Sequence, residues 1–391
     1  MNRHLLLLTA CQGLFLTNNV AFMAINGLVG LALAPQAWMA TLPVMAYVVG
    51  GALSTGWVAR TQRRFGRRIS FQIGLAVAFF SALACAAAVL MHAFWLLCLA
   101  TVVAGIYNAN ASLYRFAAAE LATPSWREKA VSLVMAGGLI GAVLGPNLAS
   151  ITRNWLAAPF AGAYVALAGV ALLSAALMHF IRFPALAATQ PGQGGRPLSE
   201  IARQPVFIVA ALAGALGFGV MNLLMAATPL AMQVCSYPFE DVAWVLEWHV
   251  IGMFAPGFFT GHLIRRFGAL PVMGVGLLLN VACILIALSG VELHRFLAAL
   301  FLLGVGWNFL FTGSTTLSLS AYTAQERDRA QGALNFCIFA TLAVSSLASG
   351  VLVTTQGWQW LNLGSLVPVV LTGAGLLRLA RAQRRPSPEA A

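Results

Sequence analysis

Gly56-Trp57-Val58-Ala59-Arg60, followed by Arg64-Phe65-Gly66-Arg67-Arg68, is matched further along the chain by Gly261-His262-Leu263-Ile264-Arg265-Arg266-Phe267-Gly268. Each stretch sets arginines and a glycine between two long apolar runs, the pattern of a polar turn between two membrane-crossing helices. The correspondence continues outward. Asn108 is paralleled by Asn308, and Arg127-Glu128-Lys129-Ala130 by Arg327-Asp328-Arg329-Ala330, both at an offset of 200 residues. Three matches in chain order, on corresponding runs, indicate two related halves.

The rest of the chain agrees with a membrane reading. Its 391 residues are 60% hydrophobic and only 8% charged, whereas soluble domains carry about a quarter charged residues to face water. That excludes a water-soluble enzyme, a disordered chain and a secreted disulfide scaffold. Apolar runs long enough to cross a bilayer fall at 5–33, 37–59, 69–90, 93–114, 131–152, 159–181, 206–234, 242–264, 269–290, 296–320, 331–353 and 358–379. The expected fold is therefore an all-α membrane protein of twelve transmembrane helices. The longest polar interruption contains Gln190-Pro191-Gly192-Gln193-Gly194-Gly195-Arg196-Pro197, a flexible-linker composition. It divides the chain into a six-helix half at 1–182, a linker at 183–205 and a second six-helix half with a short basic tail at 206–391.

The net charge of +12 would suit a nucleic-acid partner, but the basic residues sit in short clusters between the apolar runs. With the N-terminus inside, twenty of the 22 basic residues fall on inside segments, leaving Arg153 and Arg295 outside. This positive-inside bias predicts a multi-pass membrane protein with both termini cytoplasmic. Leu8-Thr9-Ala10-Cys11 has the look of a lipoprotein cleavage box, yet the apolar run continues to about Ala34, so a first membrane helix is expected instead. The six cysteines show no CxxC and read mostly as small buried hydrophobes. No nucleophile–base pair and no nucleotide loop is evident, so no enzymatic activity is expected.

Candidate site residues stand out in the seventh and eighth runs. Met221 and Met225 are spaced i, i+4, and so are His249 and Met253, which puts each pair on one helix face. At 1.5 Å per residue, Met221 and Met225 lie roughly 22 and 28 Å in from one membrane face, and His249 and Met253 roughly 10 and 17 Å in from the other. Thioethers are soft neutral ligands that favour Cu(I), and imidazole adds a stronger neutral one. The same methionines also suit helix packing, and the two readings stand side by side on spacing alone. Carboxylates are scarce at mid-depth, with Glu247 and, at a cytoplasmic end, Glu120 the nearest. Asn18, Asn19, Asn26, Asn108, Asn110 and Asn308 suit either a cavity lining or bonds between helices. Gly137-Gly138, Gly141 and Gly145-Pro146 read as a close-packing face.

The two halves, the central linker and the Gly/Arg turn after the second span resemble the major facilitator superfamily. The turn departs from the family's pattern at Arg60 and Arg265, where an acidic residue is usual. Within that superfamily, Val220-Met221-Asn222-Leu223-Leu224-Met225 and Trp248-His249-Val250-Ile251-Gly252-Met253 resemble the CcoA-type copper importers. That resemblance implies import of copper by alternating access, supplying cbb3-type cytochrome oxidase assembly. It also implies metal ligation by Met221, Met225, His249 and Met253, with Cys235 as a further metal-handling residue. Copper is then cargo and no cofactor is implied. The partners would be the bilayer and a cytoplasmic copper chaperone or exporter, with no nucleic acid, and the protein would act as a monomer. The rival expectations are a carrier or exporter of a small organic molecule and a copper-binding assembly factor.

Overall fold

A computed structural model describes residues 3–123, 126–184, 195–323 and 326–384. Most of the polar linker, at 185–194, and the last residues of the basic tail, at 385–391, lie outside the described residues. All regular elements among the described residues are helical. They are α1 (Arg3–Leu33), α2 (42–65) and α3 (67–90) within one continuous stretch Leu42–Leu90, α4 (Phe94–Leu121), α5 (Leu133–Thr152) and α6 (Ala161–His179). The second half holds α7 (Pro205–Val234), α8 (Phe239–Phe267), α9 (Ala269–Ser289), α10 (Leu293–Ala321), α11 (Arg329–Thr355) and α12 (Gly357–Gln383). Eleven apolar helical stretches are long enough to cross a membrane, and the one from Ala37 to Leu90 folds over at Gly66 to make two crossings, so the count is twelve.

The repeated turn has the same backbone in both halves. Gly66 has φ 80° and ψ 169°, and Gly268 has φ 88° and ψ 163°. Only glycine adopts this region without steric cost, because a Cβ would collide with the flanking carbonyls. The duplicated Arg-Phe-Gly is thus a duplicated conformation.

Close approach of α5 to α1 explains the glycine face. A Cβ at Gly141 would meet Leu16 Cβ at 2.5 Å, one at Gly137 would meet the Thr9 carbonyl at 2.5 Å, and one at Gly145 the Thr17 carbonyl at 2.9 Å. In lipid, where no hydrophobic force drives helices together, such backbone contact is a main source of association.

Helix α8 starts at Phe239, three residues before its apolar run, because Pro238 sets an extended N-cap and Glu240 and Asp241 occupy the first turn, where acids favour the helix dipole. It breaks after Phe254 and restarts at Gly257, with Pro256 at the break. At the other end of the sequence, α12 runs beyond its apolar segment, which ends at 379, through Arg381, whose long stem keeps its charge in the headgroups while the backbone stays helical.

The halves are clasped at the end distant from the linker. Gly350 N–H donates to Thr41 Oγ1 at 3.0 Å, joining α11 to the start of α2. Asn147 Nδ2 donates to Glu247 Oε2 at 2.9 Å, joining α5 to α8. Phe160 and Phe239 meet edge to face at 4.9 Å, and the Arg153 guanidinium lies 5.0 Å from the first ring and 5.9 Å from the second. One apolar core cluster runs through both halves and a second is confined to the first half around Leu8, Phe71 and Tyr114.

Candidate functional site

The Met and His pairs lie on adjacent antiparallel helices joined by a tight turn. Ser236 takes φ 63°, Tyr237 N–H bonds back to Met232 O at 3.0 Å, and Cys235 N–H bonds to Ala231 O at 3.1 Å. This is the reversal that caps a helix with a left-handed residue. Counting from the turn at 1.5 Å per residue, Met225 lies about 14 Å and His249 about 15 Å into their helices, and Met221 about 20 Å and Met253 about 21 Å. Met225 is therefore level with His249, and Met221 with Met253.

All four side chains are buried, and the three methionines belong to the cluster that spans both halves. His249 is the most informative. Its ring is wholly buried, and Nδ1 lies 2.7 Å from the Leu300 carbonyl of α10. A carbonyl only accepts, so Nδ1 carries the proton and Nε2 keeps its lone pair. Nε2 has no hydrogen-bond partner among the described residues. A neutral imidazole fixed through one nitrogen and bare at the other is how metal-ligating histidines are oriented, and it is equally an acceptor for an N–H or O–H on an organic solute.

Cys235 is set apart. It caps α7 at the turn, about 15 Å along the helix from Met225. Burial raises its thiol above the ordinary value, which leaves less of the thiolate that binds metal. Met232 joins the buried cluster between the two, whereas His262 is exposed beyond the break in α8. Glu247 and, at the linker end of α4, Glu120 are both engaged: Glu247 in the clasp with Asn147, and Glu120 by Arg67, whose Nη2 donates to Oε1 at 2.6 Å and Nε to Oε2 at 3.1 Å. Among the described residues no group of three or more His, Cys, Asp or Glu converges.

Several asparagines prove to be ties between helices. Tyr164 OH donates to Asn26 Oδ1 at 2.5 Å, Asn19 Nδ2 donates to Tyr47 OH at 2.9 Å, and Ser70 Oγ donates to Asn110 Oδ1 at 3.2 Å. Asn308 repairs the break in α8. Its Nδ2 donates to the Met253 carbonyl at 2.7 Å, and its Oδ1 accepts from Thr260 Oγ1 at 2.7 Å. Among the described residues Asn18 Nδ2 is buried without a partner.

Two features escape a motif search. Asn222, inside the methionine pair, donates from Nδ2 to Ser345 Oγ and Ser346 Oγ, each at 2.9 Å, tying α7 to α11. A buried amide within an apolar run is itself a signal of such a tie. The second is an aromatic group one turn from the methionines. Trp307 and Phe311 stack on α10 at 5.1 Å and 8°, and Phe218 of α7 meets both edge to face, at 5.1 and 5.5 Å. Phe254 of α8 closes on Trp307 at 6.3 Å. Trp307 Nε1 is buried and unpartnered, while Phe218, Phe254 and Phe311 are only partly buried. The group borders the other half, since Phe218 packs in a cluster with Val48 of α2, and Phe254 lies 3.9 Å from the Cβ position of Gly138 on α5. The sequence trace of it is the repeat itself, because Trp307-Asn308 stands 200 residues from Tyr107-Asn108.

Two six-helix halves clasped at one end, with unpartnered polar atoms buried near their junction, define a multi-pass membrane transporter. The chain belongs to the major facilitator superfamily, whose sequence profile matches residues 5–255 and 235–391. It is 37% identical over 363 residues to a riboflavin transporter, RfnT, of Brucella anthropi, covering 92% of this chain and 91% of that one. It is also 29% identical over 360 residues to an uncharacterised transporter of the superfamily, YdeG of Bacillus subtilis, covering 86% and 84%. Among solved structures, a bacterial homologue of the human lysosomal transporter Spinster, inward-facing and unoccupied, superposes with a TM-score of 0.76 at 15% identity, covering 98% of each chain. A bacterial metal transporter superposes with a TM-score of 0.71 at 16% identity, covering 97% and 99%. At these identities the superpositions speak for the fold alone.

Proposed function

We propose that this transporter carries a flat, heteroaromatic organic solute of the flavin class by alternating access of its two halves. The observation that carries the reading is the aromatic group of Phe218, Phe254, Trp307 and Phe311, with a buried indole N–H that has no partner. Partly open aromatic faces stack on a planar ring system, and an unpaired indole donor suits one of its carbonyls. The similarity to a riboflavin transporter over nearly the whole chain supports the same cargo class. His249 Nε2 then serves as an acceptor for a cargo N–H or O–H, and the methionines as an adaptable apolar wall. The protein acts as a monomer in the bacterial cytoplasmic membrane, with both termini in the cytoplasm, as the arginine distribution favours.

A second reading keeps copper as the cargo, and the tautomer of His249 favours it. A lone pair held bare by the Leu300 carbonyl, level with Met225 and one turn above Met253, makes a neutral soft-ligand set. Cys235 is then a relay near the turn rather than a member of that set.

Uptake separates the two. Labelled riboflavin and copper are each offered to cells without their own uptake of either, expressing wild type, Trp307→Ala or His249→Ala at equal membrane levels. The flavin reading expects riboflavin accumulation that falls roughly 10- to 100-fold in Trp307→Ala, the range for losing an aromatic stack on a planar base. Copper accumulation that vanishes in His249→Ala, with no riboflavin uptake by wild type, replaces this reading with the second.

A further inference from the structure

The first half carries a basic recess that the transport reading does not use. Two cavities, of about 930 and 450 Å³, open side by side at the linker end and share Arg68 and Arg182 as their common wall. The smaller adds Arg3, His4 and His179, and the larger adds Arg67, already held by Glu120. Neither lining contains an acidic residue. Arg3, Arg68 and Arg182 form no ion pair among the described residues. The recess is built by the start of α1, the start of α3 after Gly66, and the segment that follows α6. It is tied together by Gln72 Nε2 donating to the Ala175 carbonyl at 2.8 Å and by Arg182 N–H donating to His4 Nδ1 at 3.4 Å.

The larger cavity is amphipathic. Below the arginines its wall is Ile69, Ile73, Ala76 and Phe183, and Ile69 is 52% exposed on the outside of the helix bundle. Phe180, in the smaller cavity, is 57% exposed. A cationic rim above an apolar groove that opens sideways into the bilayer fits one kind of occupant, a molecule with a phosphate at headgroup depth and hydrocarbon beneath it.

We propose that Arg68 and Arg182 bind the phosphate of an anionic phospholipid from the leaflet on the linker side, with its acyl chains along Ile69, Ile73 and Ala76. The occupant bridges α1, α3 and the exit of α6 at the point where the chain leaves the first half. A free phosphate shares the headgroup chemistry but leaves the apolar groove unfilled. Phosphatidylcholine fills the groove, but its choline cation sits among arginines.

The test is native mass spectrometry of the full-length protein, purified in detergent and titrated with phosphatidylglycerol, phosphatidylcholine of the same chains, or inorganic phosphate. Wild type is expected to bind phosphatidylglycerol in preference to the other two. Arg68→Gln/Arg182→Gln is expected to weaken that binding roughly 30-fold, from the usual contribution of two basic residues at a membrane surface. Arg68→Lys/Arg182→Lys should recover most of it. Arg265→Gln/Arg266→Gln, at the equivalent turn of the second half, should leave it unchanged. Equal lipid binding by wild type and the glutamine double variant overturns the site, as does an equal loss in the Arg265/Arg266 variant. Phosphatidylcholine binding as tightly as phosphatidylglycerol, or inorganic phosphate binding as tightly as lipid, overturns the assigned occupant. If the glutamine double variant does not run as a folded monomer on size exclusion, Arg182→Gln alone carries the test, with roughly a fivefold loss expected.

Discussion

The same pair of helices is joined by opposite means in the two halves. In the first, α1 and α5 meet backbone to backbone across Gly137, Gly141 and Gly145, with no room for a Cβ. In the second, the equivalent α7 and α11 are tied by Asn222 reaching Ser345 and Ser346. Dry backbone contact has one geometry, whereas hydrogen bonds between side chains tolerate small sliding. The contrast recurs one helix pair further on. Tyr107 is buried edge to face against Phe15, at 5.4 Å, while its counterpart Trp307 stacks face to face on Phe311, and among the described residues the Tyr107 hydroxyl and the Trp307 N–H both lack a partner. The duplicated backbone sets a common frame, and the two polar atoms proposed to meet cargo, Trp307 Nε1 and His249 Nε2, both belong to the second half.

The sharpest way to break that comparison is at α1/α5. Gly141→Leu should destabilise the protein by about 1–3 kcal/mol, the usual cost of overpacking, read as a lower melting temperature in detergent. Asn222→Leu should cost less, and should alter transport more than melting. Equal losses of stability would mean that both interfaces are rigid. Next in size, Trp307→Phe keeps the stack but removes the indole donor, and should lower affinity for a flavin about tenfold, as for one lost hydrogen bond of about 1.4 kcal/mol. Tyr107→Phe, the matching change in the first half, should leave uptake within about twofold of wild type. A third pair is Asn308→Ala against Asn108→Ala. The first strands the Met253 carbonyl, while the Thr260 hydroxyl keeps the Pro256 carbonyl as acceptor, and should cost about 0.6 kcal/mol or somewhat more, the usual value for bonds between helices in membranes. Chemical denaturation in mixed micelles reads the difference, and an equal effect would remove Asn308 as the repair of the α8 break.

The smallest effect concerns the turns at the linker end. In the first half Arg67 grips Glu120 from within the half, but in the second Glu326 is gripped from the linker. Glu326 accepts from Arg196 N–H and Nε at 2.8 Å, from Arg196 Nη2 at 2.9 Å and from Thr323 N–H at 2.9 Å. The Arg196 side chain and those backbone N–H groups hold its carboxyl well below the usual carboxylate range. A carboxylate whose value is lowered on folding contributes stability above its unfolded value, and that contribution is lost as pH falls toward the folded one. Limited proteolysis of the linker should therefore be faster in Glu326→Gln than in wild type at neutral pH. The gap should be constant down to about pH 5 and should narrow below the ordinary glutamate value of about 4.3. A gap that widens on acidification would contradict this assignment.

The large-scale plan was legible in the sequence because membrane crossing imposes run length, and run length is local. The twelve crossings, the duplicated Arg-Phe-Gly turn and the glycine face of α5 all follow from that kind of signal. Helix ends were less legible. Glu240 and Asp241 look like an interruption but form the first turn of α8, and Arg381 looks like a tail but continues α12. The Met and His pairs were visible from spacing, and the fold brings their helices side by side. Their cargo was not visible, because i, i+4 spacing is common to a ligand pair and a packing pair. Copper import rested on resemblance, and a relative that matches over 92% of the chain is a riboflavin transporter. The aromatic group was hidden for another reason. Phe218, Phe254 and Trp307 come from three helices, and only packing reveals that they meet.

The turn from Cys235 to Pro238 has a mechanical consequence. A left-handed residue and a backbone bond back to Met232 strap α7 and α8 into one hairpin. Met225 and His249, and below them Met221 and Met253, ride on it as fixed teeth of a single jaw. On the alternating-access reading proposed above, cargo held there is freed when the opposing jaw, α1 and α5 of the first half, swings away while the teeth keep their spacing.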